Sequence, residues 1–141
     1  MRTQLARIVC LSLMLIVGCA DPARPHLERF VSEWGGVVAK DYSHLDALPD
    51  DERIVRRHFE SSRAMNRMLV SFLHDNPPVS EELKSFLRDW ETATAEIERI
   101  HKKMIDEGRY VYTDEERPRA EQLVQAEAVA GFELLDHLEG Y

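Results

Sequence analysis

Apolar residues return at three- and four-residue intervals in four separate stretches of the chain, the spacing of one buried helix face. The first stretch opens near Pro25, a residue suited to a helix's first turn, and runs through Leu27, Phe30, Trp34 and Val38 to Leu45. Gly35-Gly36 weakens it by roughly 1 kcal/mol per glycine, so a bend is expected there. Pro49-Asp50 breaks the pattern, with Asp50 placed to cap the second helix, which shows Ile54, Val55, Phe59, Met65, Leu69 and Phe72 before Asn76-Pro77-Pro78 stops it. The third has the fullest punctuation. Ser80 stands at its cap, Glu81 and Glu82 suit its positive N-terminal end, Lys102 and Lys103 its negative end, and Gly108 its stop. Leu83, Leu87, Trp90, Ile97 and Met104 line its apolar face. The fourth has two candidate starts: the capping box Thr113-Asp114-Glu115-Glu116, and Pro118 as an opening residue. Leu123, Ala130, Leu134 and Leu138 follow.

The links between these helices are short, and short links force consecutive helices to lie side by side in opposite directions. The expected fold is therefore all-α, an antiparallel up-down-up-down four-helix bundle over residues 26–141. The one strand-like run is Tyr110-Val111-Tyr112, in the longest link, where it is expected to cover one end of the bundle or present a small contact surface.

Four ionisable residues interrupt the apolar faces. Asp41 falls in line with Trp34, Val38 and Leu45. His58 lies between Ile54 and Met65, His101 beside Ile97 and Met104, and Glu127 beside Leu123 and Leu134. Measured from the end where the first two helices join, their depths differ by only about 6 Å, so one layer can hold two imidazoles and two carboxylates. Bundle interiors are where metal sites are built from facing helices. Two neutral imidazoles with carboxylates suit zinc or iron, and two facing histidines suit haem. Glu98-Arg99-Ile100-His101 is similar to the Glu-x-x-His of ferritin-like di-iron proteins, but no other helix carries the second copy that such a site needs. The same four residues equally form a buried network that satisfies its own hydrogen bonds and fixes helix pairing without any ligand, and that reading is preferred.

The N-terminus carries a different signal. Two cations, Arg2 and Arg7, precede the apolar run Ile8 to Val17, which ends in Ile16-Val17-Gly18-Cys19. This order of charged end, apolar centre and small residues is that of a secretory signal. The run is about half the ~20 residues a membrane-spanning helix needs. Ile16-Val17-Gly18-Cys19 resembles the lipobox of bacterial lipoproteins, and the resemblance covers about the first 20 residues. It implies a cleaved signal peptide over residues 1–18 and a diacylglycerol and palmitate on Cys19, with residues 19–25 as a tether at the membrane surface. Ala20, where an aspartate resembles the inner-membrane retention signal of enterobacterial lipoproteins, tilts the expectation toward the periplasmic face of the outer membrane.

Charge and cysteine content narrow the function. The chain carries a net charge of -8, and loss of Arg2 and Arg7 with the signal takes it to about -10. Such a chain repels nucleic acid and anionic lipid, so attachment rests on acyl chains. Cys10 leaves with the signal and Cys19 is blocked by lipid, so the folded part has no disulfide and relies on its core; 44% of the chain is apolar, enough to build one. Within this acidic chain the second helix carries Arg53, Arg56, Arg57, Arg63 and Arg67 on one side. Arg56, Arg63 and Arg67 are the residues of a candidate anion-binding face, although a solvated face paired with neighbouring acids is the favoured reading. No nucleophile turn or phosphate-cradling glycine loop is present. The expectation is a non-catalytic, lipid-anchored envelope protein with a protein partner, no required cofactor, and a metal- or haem-binding bundle as the alternative.

Overall fold

The computed structural model describes residues 21–139, the side chains of Leu135, His137, Leu138 and Glu139 excepted. The expected signal segment, residues 1–18, and Cys19 lie outside the described residues. Within those described, the chain forms α1 (Arg24–Val38), a short 3-10 turn (Ser43–Leu45), α2 (Asp50–His74), α3 (Glu81–Asp106) and α4 (Arg117–Glu139), with no strand. The architecture is an all-helical bundle. None of the described helices is long and apolar enough to cross a membrane.

The boundaries follow from local chemistry. Ser80 caps α3, its Oγ accepting from Leu83 N at 3.1 Å, and Gly108 stops it in the left-handed conformation, φ 64°. At the start of α4 the two candidate signals act together. Thr113 Oγ1 accepts from Glu116 N while Glu116 Oε2 accepts from Thr113 N, each at 3.2 Å, and Pro118 follows as the second residue of the helix. Asp50 departs from expectation. Pro49 occupies the cap of α2 with no side-chain bond, and Asp50 instead accepts from Arg53 Nη2 at 2.6 Å. The three acids of that first turn, Asp50, Asp51 and Glu52, still suit the positive end of the helix.

The first helix is shorter than its periodicity implies. It ends at Val38, and Asp41 lies in the turn beyond it, where its carboxylate accepts from the Ser43 N–H at 2.8 Å and from its hydroxyl at 3.1 Å. Two glycines near the end of a helix and a side chain able to close its own turn favour termination over another helical turn. At its other end α1 begins sooner than the expected tether allows. Ala23 is already buried at 2% exposure, so the core takes up the chain before residue 25.

Packing is uneven. The α2–α3 pair meets most extensively, α4 packs on α3, and α1 packs on α2. Among the described residues α2 and α4 make no comparable approach. One apolar cluster fills the end that α1 covers: Leu27 and Phe30 against Leu69, Phe72, Leu83, Leu87 and Trp90, with Ala130 and Leu134 from α4. The Phe30 and Phe72 rings are 4.8 Å apart, and Trp34 meets Trp90 edge-on at 6.0 Å. Beyond Trp90 the buried residues Thr94, Ile97, His101 and Met104 continue along α3 outside that cluster. There, α1 no longer lies over them.

Candidate ligand-binding groove

α1 has 15 residues and α2 has 25, which at 1.5 Å per residue leaves about 15 Å of α2 without a helix alongside. The uncovered length is a groove between α2 and α4 with α3 as its floor. Two cavities occupy it. The larger, about 450 Å³, is lined by Ile54, Val55 and His58 of α2, His101 of α3, Tyr110 and Tyr112 of the link, and Ala120, Val124 and Ala128 of α4. The smaller, about 290 Å³, lies under Trp34 and is lined by Ser62, Met65, Trp90, Glu127 and Gly131. Ala128 lines both, so the two adjoin at that residue of α4. Each wall is mainly apolar. Ile54 and Phe132 stay 54% and 71% exposed on the rims, a large exposure for such side chains.

The histidines expected in the core come together. His58 and His101 stand edge-to-face with ring centroids 5.7 Å apart. His101 is 1% exposed, and its Nε2 lies 2.6 Å from the hydroxyl of Tyr112. Burial, with His58 beside it, pushes His101 down to about 4, so its imidazole is neutral at pH 7. His58, expected in the core, is instead exposed at the groove's edge, as is Ile54 one turn before it; desolvation, and then the neighbouring Arg57, lower its pKa too. Tyr112 is shifted upward by burial and by the acids Glu116, Glu127 and Glu121. The phenol keeps its proton. Between a phenol and a neutral imidazole the O–H is the stronger acid and the ring nitrogen the stronger base, so Tyr112 donates to Nε2. The imidazole proton then sits on Nδ1, a buried atom with no partner.

Glu127 is inside the bundle, as its position on the helix face implies, but in the smaller cavity. Burial raises its pKa, and the hydroxyls of Thr94 and Ser62 beside it pull the other way. Thr94 precedes His101 by two helical turns on α3, so this carboxyl is a neighbouring layer, about 10 Å along the helix from the histidine pair. Asp41 is not brought to either layer: it is exposed, with its carboxyl held low first by the Ser43 backbone bond. The expected four-residue layer is therefore a histidine pair with a tyrosine, and a separate Ser62–Thr94–Glu127 group. Among the described residues no three histidine, cysteine, aspartate or glutamate side chains converge as metal ligands would.

The arginines of α2 are mostly engaged. Arg56 Nε donates to Glu52 at 2.8 Å and its Nη2 to the Tyr110 hydroxyl at 3.2 Å. Arg63 faces Glu98 at 3.9 Å, Arg53 bonds Asp50, and Arg57 lies over the Tyr42 ring at 5.3 Å. Arg56 and Arg63 thus meet acids of α2 and α3, the arrangement of a paired face; Arg67 has no partner among the described residues.

Periodicity was able to find His58, His101 and Glu127 because each sits on a helix at core spacing. It missed Tyr112, which reaches His101 from an aperiodic link. Thr94 was legible in principle: it stands seven residues before His101, as Ile97 does before Met104, and is fully buried. The chain matches no family model, no curated protein and no solved structure.

Proposed function

We propose that the chain is a lipid-anchored protein of the bacterial envelope, held on the periplasmic face of the outer membrane through Cys19, with a non-catalytic binding role. Its helices run up-down-up-down. Three sets of contacts support that direction, Phe30–Phe72 with Lys40–Glu60, Asn66–Glu98 with His58–His101, and Lys103–Glu116 with Arg119–Glu96, because between the two contacts of each set the residue number rises on one side as it falls on the other. The observation that carries the binding role is the open, mainly apolar groove beside the shortened α1. Its position suits an anchored protein. The chain enters the bundle at Ala23, in the cluster with Phe72, whereas His58 lies fourteen residues away along α2, about 21 Å. The groove therefore opens at the end remote from the tether, toward the periplasm.

Anchoring is tested by growing cells with labelled palmitate. The native chain takes up label and sediments with outer membranes, and Cys19→Ala does neither; label retained by Cys19→Ala would refute the anchor. A second reading, in which His58 and His101 ligate a metal ion or haem, is supported by their 5.7 Å approach. Elemental analysis and a visible spectrum of the protein purified without chelator decide it. Near-stoichiometric metal or haem that disappears in the His58→Ala, His101→Ala double variant supports ligation, and a colourless, metal-free protein after incubation with excess metal removes it.

A further inference from the structure

We infer that the smaller cavity, beneath Trp34, is a site for an organic cation with methyl groups on its nitrogen. Glu127 holds the charge, and the rings of Trp34, Trp90 and Phe132 receive the methyl groups. The inference deepens the binding role proposed for the groove and rests on that role, not on the lipid anchor.

Charge selects the sign of the ligand. Glu127 lines the cavity with Ser62 and is half-buried. Against the cost of burial its carboxyl has two hydroxyls in support, those of Thr94 and Ser62. Thr94 also donates to the Trp90 carbonyl at 2.8 Å, so its one proton serves two acceptors. Among the described residues no cation acts on Glu127. Arg63, next to Ser62 on α2, faces Glu98 at 3.9 Å, and Arg119, two turns before Glu127 on α4, donates to Glu96 at 2.8 Å. A partly desolvated carboxylate without a counterion draws a cation and repels an anion, more strongly in a cleft than in open water. The chain's net charge of -8 acts in the same sense.

The walls select the kind of cation. A metal ion needs several ligands, and among the described residues Glu127 is not joined by two further side chains able to serve. The lining is aromatic instead. Trp34 and Trp90 meet at 89° with centroids 6.0 Å apart, so their rings stand as two walls at right angles. Gly131 seats Trp34 on α4: a Cβ there would lie 3.4 Å from its ring. Phe132 adds a third ring at the rim and is 71% exposed, which core packing does not explain. Aromatic faces attract cations, and an alkylated ammonium is the form they suit best. Each N–H of a primary ammonium would need its own acceptor, whereas N-methyl groups sit well against rings and the Met65 side chain. A volume of about 290 Å³ is ample for a group of choline's size. Free methylated amines and the headgroups of choline lipids share this chemistry.

Both tryptophans of the chain line the cavity, so the tryptophan fluorescence of the full chain in maltoside micelles reads binding at the site, with calorimetry as the second readout. The probes are choline, glycerophosphocholine, and 3,3-dimethylbutan-1-ol, in which carbon replaces the charged nitrogen of choline. Choline or glycerophosphocholine should bind at least about tenfold more tightly than the alcohol. Tighter binding of glycerophosphocholine assigns a lipid headgroup, and tighter binding of choline assigns a free amine. Glu127→Gln keeps the shape of the side chain, removes its charge, and should lower choline affinity at least about tenfold, to the level of the alcohol. Phe132→Ala changes an exposed position that the fold does not depend on, and should weaken choline about threefold. The inference is overturned if either variant leaves choline affinity unchanged. It is overturned too if the alcohol binds as tightly as choline, a result that would keep the binding role and assign it to an uncharged ligand. No binding of any probe at about 10 mM would overturn the inference and remove the binding role from this cavity as well.

Discussion

At His101, burial and protonation oppose each other. The ring titrates near 6.5 in an unfolded chain and at about 4 in the folded one. A depressed folded value means the unfolded state takes up protons first. Stability is thus full above pH 6.5 and is lost as the pH falls toward 4, by an amount on the order of 3 kcal/mol. His58 shifts in the same direction. Urea unfolding across pH 7 to 4 should show this decline, and His101→Phe should flatten it; an equally steep decline in the variant would assign acid sensitivity elsewhere. Glu127 has the opposite sign. Its raised pKa means the folded state holds the proton more tightly, so its contribution is present at acid pH and is lost as pH rises through the folded value. Glu127→Gln should therefore raise the melting temperature at pH 7.5 by a few degrees and leave it unchanged near pH 3.5. These residues were legible because a polar side chain at core spacing on a helix stands out. Asp41 shows the limit of that reasoning: a periodic pattern does not say where the helix carrying it stops, and here a three-residue turn closed by the Asp41 side chain stopped it first.

Helix ends were the most readable part of the sequence wherever a side chain does the capping. Ser80, Gly108 and the Thr113–Glu116 box act as their residue types imply. Ser80→Ala should cost about 1 kcal/mol in chemical denaturation, since it leaves a donor of the first turn of α3 without its side-chain acceptor. Pro49 was harder to place, because a cap that makes no side-chain bond leaves only the backbone to define it. Within α1, Gly35 and Gly36 occupy helical positions where an added Cβ meets nothing within 4 Å. Gly36→Ala should then stabilise the protein by about 0.5–1 kcal/mol, through a smaller entropy loss on folding. A destabilised variant would mean that the glycine pair is needed for an approach not seen in this fold.

For the molecule as a whole, four helices and their apolar faces were evident from periodicity, and the groove was not. Its existence depends on a difference in length between α1 and its neighbours, and that difference turns on the few residues after Val38 that end the helix. The same difference also divides the core, with one closed apolar cluster under α1 and a polar, open region beyond it. Local opening follows such divisions, because segments that bury little detach at lower free energy than the rest. α1 contributes two buried side chains of its own, Leu27 and Phe30, against seven from α3. Its amides should exchange with deuterium at least about a hundredfold faster than those at the centre of α3. The bundle would then breathe from its N-terminal side, and each opening would extend the cleft from His101 toward Phe72 while α2, α3 and α4 stay together.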